Sequence, residues 1–103
     1  MDKELYTQFD AVFFEKTRLS MLTILHSEEK VSFNRFKKFL GGTDGSIYSH
    51  IQKLLKAGYI EQQKSIFRDR QQTEYSLTEK GKTAFKRYID FLESLIKTNR
   101  REE

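Results

Sequence analysis

Residues 43–60 read T-D-G-S-I-Y-S-H-I-Q-K-L-L-K-A-G-Y-I. Thr43 can accept a bond from a first-turn N–H, and Asp44 favours the positive end of a helix. Ile47, Ile51, Leu54 and Leu55 then recur at helical spacing and make one apolar face. Gly58 marks the stop. Beyond it, from Tyr59 onward, the period changes from helical to alternating. The face opposite the apolar stripe presents Ser46, Tyr48, Ser49, Gln52 and Lys53, with Thr43 and Gly45 at its start. Such a helix buries one side and shows hydroxyls and amides on the other.

Upstream, Ser32 can cap a helix in which Phe36, Phe39 and Leu40 sit at i, i+3 and i+4, and Gly41-Gly42 ends it. Only a few residues separate it from the helix that begins after Thr43, which is the spacing of a helix-turn-helix. Earlier still, Leu19, Leu22, Ile24 and Leu25 predict another helix, with Thr17 as its expected cap, and Val31 starts a short strand. Leu5, Phe9, Val12 and Phe13 predict an N-terminal helix. Downstream, 59–67 and 73–77 alternate apolar and polar residues as strands do, and the polar stretch 68–72 joins them as a basic tip. Thr78 is the expected cap of a last helix. Its apolar stripe of Phe85, Tyr88, Ile89, Leu92, Leu95 and Ile96 is widened by Ala84 and Phe91. The charged residues 97–103 are expected to fray.

The order helix, helix, helix, hairpin, helix is that of a winged helix, α+β but mainly α, with a two-stranded wing. Residues 43–60 resemble the recognition helix and following strand of MarR- and ArsR-type regulators. There, a Ser or Thr start leads through an apolar residue to a histidine, a leucine pair and a glycine. Residues 69–81, D-R-Q-Q-T-E-Y-S-L-T-E-K-G, resemble the MarR-type wing with its Leu-Thr-x-x-Gly ending, and residues 18–25, R-L-S-M-L-T-I-L, resemble the first core helix. The resemblance spans about residues 9–96 and is nearest to compact single-domain regulators. Tyr48, Gly42 and Gln71 depart from the pattern, standing where a small serine, an apolar turn residue and a Pro or Arg are usual.

Length and composition fit this. A chain of 103 residues suits one domain spanning 1–103 and buries about 60–65% of its unfolded surface. No apolar run reaches the roughly 18 residues of a membrane span, and the charged start Met1-Asp2-Lys3-Glu4 is not a secretion signal. A cytoplasmic protein without membrane association is expected. With no cysteine and only His26 and His50 as imidazoles, neither a metal site nor a cofactor is expected. His50 is read as bonding backbone or phosphate beside the core, and His26 as serving the negative end of its helix. No nucleophile, base and orienter can be assembled, so no enzyme is expected.

The net charge of +4 is uneven: residues 31–72 alone carry +5, a concentrated field that attracts a polyanion. Double-stranded DNA is the expected partner. Thr43, Gly45, Ser46, Tyr48, Ser49 and Lys53 would meet the major groove, and Arg68 and Arg70 the minor groove. Arg35, Lys37 and Lys38 would flank phosphates. The wing resemblance implies that Asp69 pairs with a neighbouring arginine. Nine phenylalanines exceed what a small monomer buries. Leu5, Phe9 and Phe13 from the first helix, with Phe85, Tyr88, Leu92, Leu95 and Ile96 from the last, are therefore expected to form a homodimer on an inverted repeat. Repression is expected, since no activation domain is seen. The alternative is a winged-helix protein-interaction module without a specific DNA target; the basic tip and the hydroxyl-rich helix start argue against it. The aromatic surplus is compatible with a cleft for a small-molecule effector, but nothing in the sequence supports one.

Overall fold

The structure, a computed structural model, describes Val12 and residues 15–102, with side chains through Lys97. The expected N-terminal helix, including Leu5, Phe9 and Phe13, lies outside the described residues. Four helices and three strands follow in chain order: α1 (Lys16–Glu28), β1 (Val31–Ser32), α2 (Phe33–Leu40), α3 (Asp44–Lys56), β2 (Ile60–Phe67), β3 (Arg70–Leu77) and α4 (Glu79–Glu102).

The cap of α1 is Glu15, whose carboxylate accepts from the Arg18 N–H at 2.9 Å. Thr17, the expected cap, lies two residues inside the first turn, because the longer glutamate side chain reaches back to that N–H from outside the helix. Ser32 and Thr43 cap α2 and α3 as their types require, each accepting at 3.1 Å from the N–H three residues on. Gly41 to Thr43 are all that separates the two helices. The C-terminus of α3 closes at Gly58, at φ +80°, where the Gly58 and Tyr59 N–H groups bond back to the Leu55 and Leu54 carbonyls.

The sheet is antiparallel, with order β1-β3-β2. β2 and β3 pair from Ile60↔Leu77 to Phe67↔Arg70. Their connection is only Arg68-Asp69, at φ 53° and 64°, the left-handed pair that suits a tight two-residue hairpin. The expected five-residue tip therefore shrinks to two, and Arg70 to Gln72 belong to the strand. Their polarity reflects a strand end that projects past the core, not a loop. Asp69 pairs with neither arginine; its contribution is the turn backbone, which aspartate tolerates better than most residues.

The core forms where α1, α2 and α3 meet the inner face of the sheet and the first half of α4. Met21, Leu22, Phe36, Ile51 and Leu54 are fully buried. Each such side chain stabilises the fold by about 1.5–3 kcal/mol relative to exposure. Phe39, expected beside Phe36, is instead 55% exposed, because eight residues of α2 turn only Phe36 fully inward. The Arg35 guanidinium lies over the Phe39 ring at 4.7 Å. His26 occupies the last turn of α1 as expected, and its ring also packs on Phe85 at 5.1 Å.

The start of α4 is fastened to the end of α3. Thr78 Oγ1 donates to the Gly58 carbonyl at 2.6 Å and accepts from the Gly81 N–H at 3.0 Å. Lys80 donates to the Ala57 carbonyl at 2.8 Å. Gly81 is buried against the Tyr59 carbonyl so closely that a Cβ would collide with that backbone. The Leu-Thr-x-x-Gly ending thus has a packing reason. α4 continues to Glu102, taking in the stretch from 97 onward where charge suggested fraying.

Candidate nucleic-acid interface

Every expected contact on α3 faces solvent. Thr43, Gly45, Ser46, Tyr48, Ser49 and Lys53 are exposed, while Ile47, Ile51 and Leu54 turn inward. Thr43 Oγ1 accepts from the Ser46 N–H, and the other first-turn N–H groups of a helix lack intrahelical acceptors, so helix dipole and donors together suit an anion at this end. Tyr48 is 56% exposed. It stands on the surface and does not serve as a half-buried prop for the core. Its hydroxyl lies near Tyr75; burial, and secondarily the approach of Tyr48, pushes the Tyr75 phenol above its ordinary value.

Between α3 and the hairpin runs a trough in two connected parts. The first, about 300 Å³, is lined by Ser32, Asn34, Tyr48, Gln72, Thr73 and Tyr75 among others. The second, about 480 Å³, shares Asn34, Gln71 and Gln72 with it and continues to Phe67, Arg68 and Arg70 at the hairpin tip. Asn34 and Gln72 were not singled out in the sequence, and Gln71 stood out only as a departure from the wing pattern. Their signal, uncharged amides clustered between helix start and wing, becomes visible only once β1 sets α2 against β3.

The cations divide into two groups. Arg35 is held by Glu28, with Nε donating to Oε2 at 2.9 Å. This bond lowers the Glu28 carboxyl and raises the Arg35 guanidinium from their ordinary values. Lys37 is held by Asp44 at 2.6 Å. Two of the three expected phosphate-flanking residues thus already have carboxylate partners. Lys38, Lys53, Arg68 and Arg70 are exposed and carry no carboxylate partner among the described residues. Arg68 lies over the Phe67 ring at 5.1 Å.

Behind the recognition face is a polar network that the sequence did not disclose. Arg18, 8% exposed, donates from Nε to the Val12 carbonyl at 2.9 Å and approaches His50 Nδ1 with Nη1 at 3.1 Å. An arginine can only donate, so Nδ1 accepts and His50 keeps its proton on Nε2. Glu15 Oε2 stands 3.5 Å from the same nitrogen, too far for a good bond and suited to a protonated ring only. His50 therefore bonds the Arg18 side chain where backbone or phosphate was expected. Burial raises the Glu15 carboxyl, but bonds from the Arg18 and Thr17 N–H groups and the charge of Arg18 leave it lowered overall. Arg18 could have been found from its i, i+4, i+7 register with Leu22 and Leu25.

The residues expected to dimerise also divide. Phe85 and Tyr88 are buried in the chain's own core at 6% and 9% exposure, which leaves little of them for a partner. Leu92 and Leu95 are half-buried, and Ile89 and Ile96 are exposed.

A helix-turn-helix with an outward hydroxyl face, followed by a hairpin with unpaired arginines, defines a winged-helix DNA-binding protein. The chain belongs to the winged helix DNA-binding domain family, whose model matches residues 17–96. It is 37% identical over 78 residues to the uncharacterized protein MJ0432 of Methanocaldococcus jannaschii, covering 76% of this chain and 85% of that one. Its fold is similar to a transcriptional regulator homologue from Pyrococcus horikoshii OT3, with TM-score 0.80, 27% identity and 93% of each chain covered. It is also similar to a MarR-family regulator from Enterococcus faecalis V583, with TM-score 0.79, 15% identity, and 99% and 93% of the chains covered. The resemblance carried by residues 18–25, 43–60 and 69–81 therefore holds, and the chain is a DNA-binding protein of the transcriptional-regulator type. Among the described residues no helix is long and apolar enough to cross a membrane.

Proposed function

We propose that this protein is a homodimeric repressor that binds an inverted repeat in double-stranded DNA. The observation that supports it most is the exposed face of α3, with Ser46, Tyr48 and Ser49, set beside a hairpin whose Arg68 and Arg70 have no carboxylate partner among the described residues. Hydroxyls at the start of a helix allow close approach to base edges and phosphates. Guanidinium groups on a hairpin suit the negative potential of a narrow minor groove. A twofold dimer through Leu92, Leu95, Ile96 and the first helix would set two α3 helices about 34–36 Å apart, one turn of DNA. A dimer covering two adjacent half-sites excludes polymerase from the same stretch, which makes repression the natural mode.

The test is fluorescence anisotropy with duplex DNA from upstream of the protein's own gene against a scrambled duplex, at several salt concentrations. Nanomolar binding to the first, well above the scrambled duplex and falling steeply with salt, is expected. Ser49→Glu and Arg70→Ala should each remove most of it. Absence of binding to either duplex at low salt would sink the DNA reading and leave the Ile89 and Ile96 flank of α4 as a docking face for a protein partner.

A further inference from the structure

The hairpin tip has more apolar surface than a solvated turn should. Phe67 is 55% exposed and Ile66 is 78% exposed. Neighbouring residues on a strand point to opposite faces, so the tip is apolar on both sides. Phe67 pairs with Arg70 in the last rung of the ladder, and cross-strand partners share a face. Arg68 lies over the Phe67 ring. The phenyl ring thus has one guanidinium over it and the Arg70 side chain beside it on the same face of the hairpin.

Two occupants could cover this tip. A second copy could pair along β2, which is an edge strand. That edge, however, carries Glu61 and Lys64, and Lys64 is held across the hairpin by its bond to Thr73 at 2.9 Å. Such charges guard an edge against pairing. Phe67, moreover, lines the trough that leads through Gln71 and Gln72 to Tyr48 on α3. It therefore stands at the tip end of that trough, beside Arg68 and Arg70, which have no carboxylate partner among the described residues, and the complementary occupant is DNA.

We propose that Phe67 is an apolar wedge: the wing tip inserts it against a base step in the minor groove, partly unstacks that step and bends the duplex. Arg68 and Arg70 hold the phosphates on either side, and Ile66 packs on the facing sugar wall. Apolar side chains inserted between base steps kink DNA by roughly 20–90°, and an aromatic ring stacks favourably on any base. The inference rests on the DNA-binding reading above. It deepens that reading by assigning the wing a role in shaping DNA, not only in holding its phosphates.

The experiment uses a 40-base-pair duplex from upstream of the gene, with a donor and an acceptor dye at its two ends. Anisotropy reports binding and energy transfer reports bending in the same sample. Wild-type protein should bind and raise the transfer efficiency. Phe67→Ala, at an exposed position that the fold does not need, should bind about tenfold more weakly and lose the rise in transfer. Phe67→Leu, which keeps an apolar wedge, should retain most of that rise. A Phe67→Ala protein that binds and bends as wild type would overturn the proposal. So would wild-type binding without bending, although the DNA reading would then stand. If wild-type protein shows no anisotropy change, the DNA reading fails and the wedge fails with it. A change of sedimentation coefficient in Phe67→Ala would assign the tip to self-association instead.

Discussion

Among the described residues, Arg18 alone is both charged and buried. It joins the chain near Val12 to His50 on the recognition helix, so the position of α3 depends on a contact made outside the helix-turn-helix itself. Breaking one member of a buried polar network leaves the others without partners, at a cost larger than the net worth of the bond. Arg18→Ala should therefore lower stability by about 2–3 kcal/mol. In urea, a lower midpoint with an unchanged slope would show this. A midpoint equal to that of the wild type would mean that the Val12 carbonyl and His50 find water as readily as they find Arg18. Arg18→Met, which keeps the apolar stem, separates lost packing from lost bonding.

At the scale of the element, the junction between α3 and α4 is tightly constrained. Gly81→Ala forces a methyl group into the Tyr59 carbonyl. Since that neighbour is backbone and cannot swing aside, the expected cost is about 2 kcal/mol or more, as for other overpacked sites. Thermal unfolding followed by circular dichroism measures it, and a melting temperature within one degree of wild type, about the error of such a comparison, would contradict the close approach. α3 was legible in the sequence because cap, apolar period and stop all agree there. The length of the wing was not, since residues 70–72 form a strand end beyond the core and carry no alternation to betray it. Phe39 was misplaced because a helix of only eight residues gives too little periodicity to separate an inward phenylalanine from one covered by its own Arg35. On the candidate site, the exposed face of α3 followed directly from its buried one. That Glu28 and Asp44 occupy two of the flanking cations did not, because such pairing depends on how helices lie against each other.

For the whole molecule, the proportions of α4 matter most. Its 24 residues span about 36 Å, yet the core cluster engages it only as far as Leu92, through Ala84, Phe85, Tyr88 and Leu92. The stretch with Leu95 and the 53%-exposed Ile96 lies beyond that core and is the natural seat of a partner helix. Leu95→Glu with Ile96→Glu should convert the proposed dimer to a folded monomer in sedimentation at micromolar concentration. Affinity for a two-half-site duplex should then fall at least tenfold, since each half-site must be bound separately. A variant that sediments as wild type would remove the second half of α4 from the interface.

The junction at Gly58, Thr78 and Gly81 has a mechanical consequence. With hydroxyl, carbonyl and backbone joined there, a displacement of α4 would pass to the end of α3, so that α4 would act on it as a stiff lever. In a dimer, a small change in the crossing angle of two such levers would not be absorbed on the way; it would reappear, enlarged, as a change in the gap between the two reading helices. The number of base pairs tolerated between half-sites would then be tuned from the far end of α4, by residues that never come near the DNA.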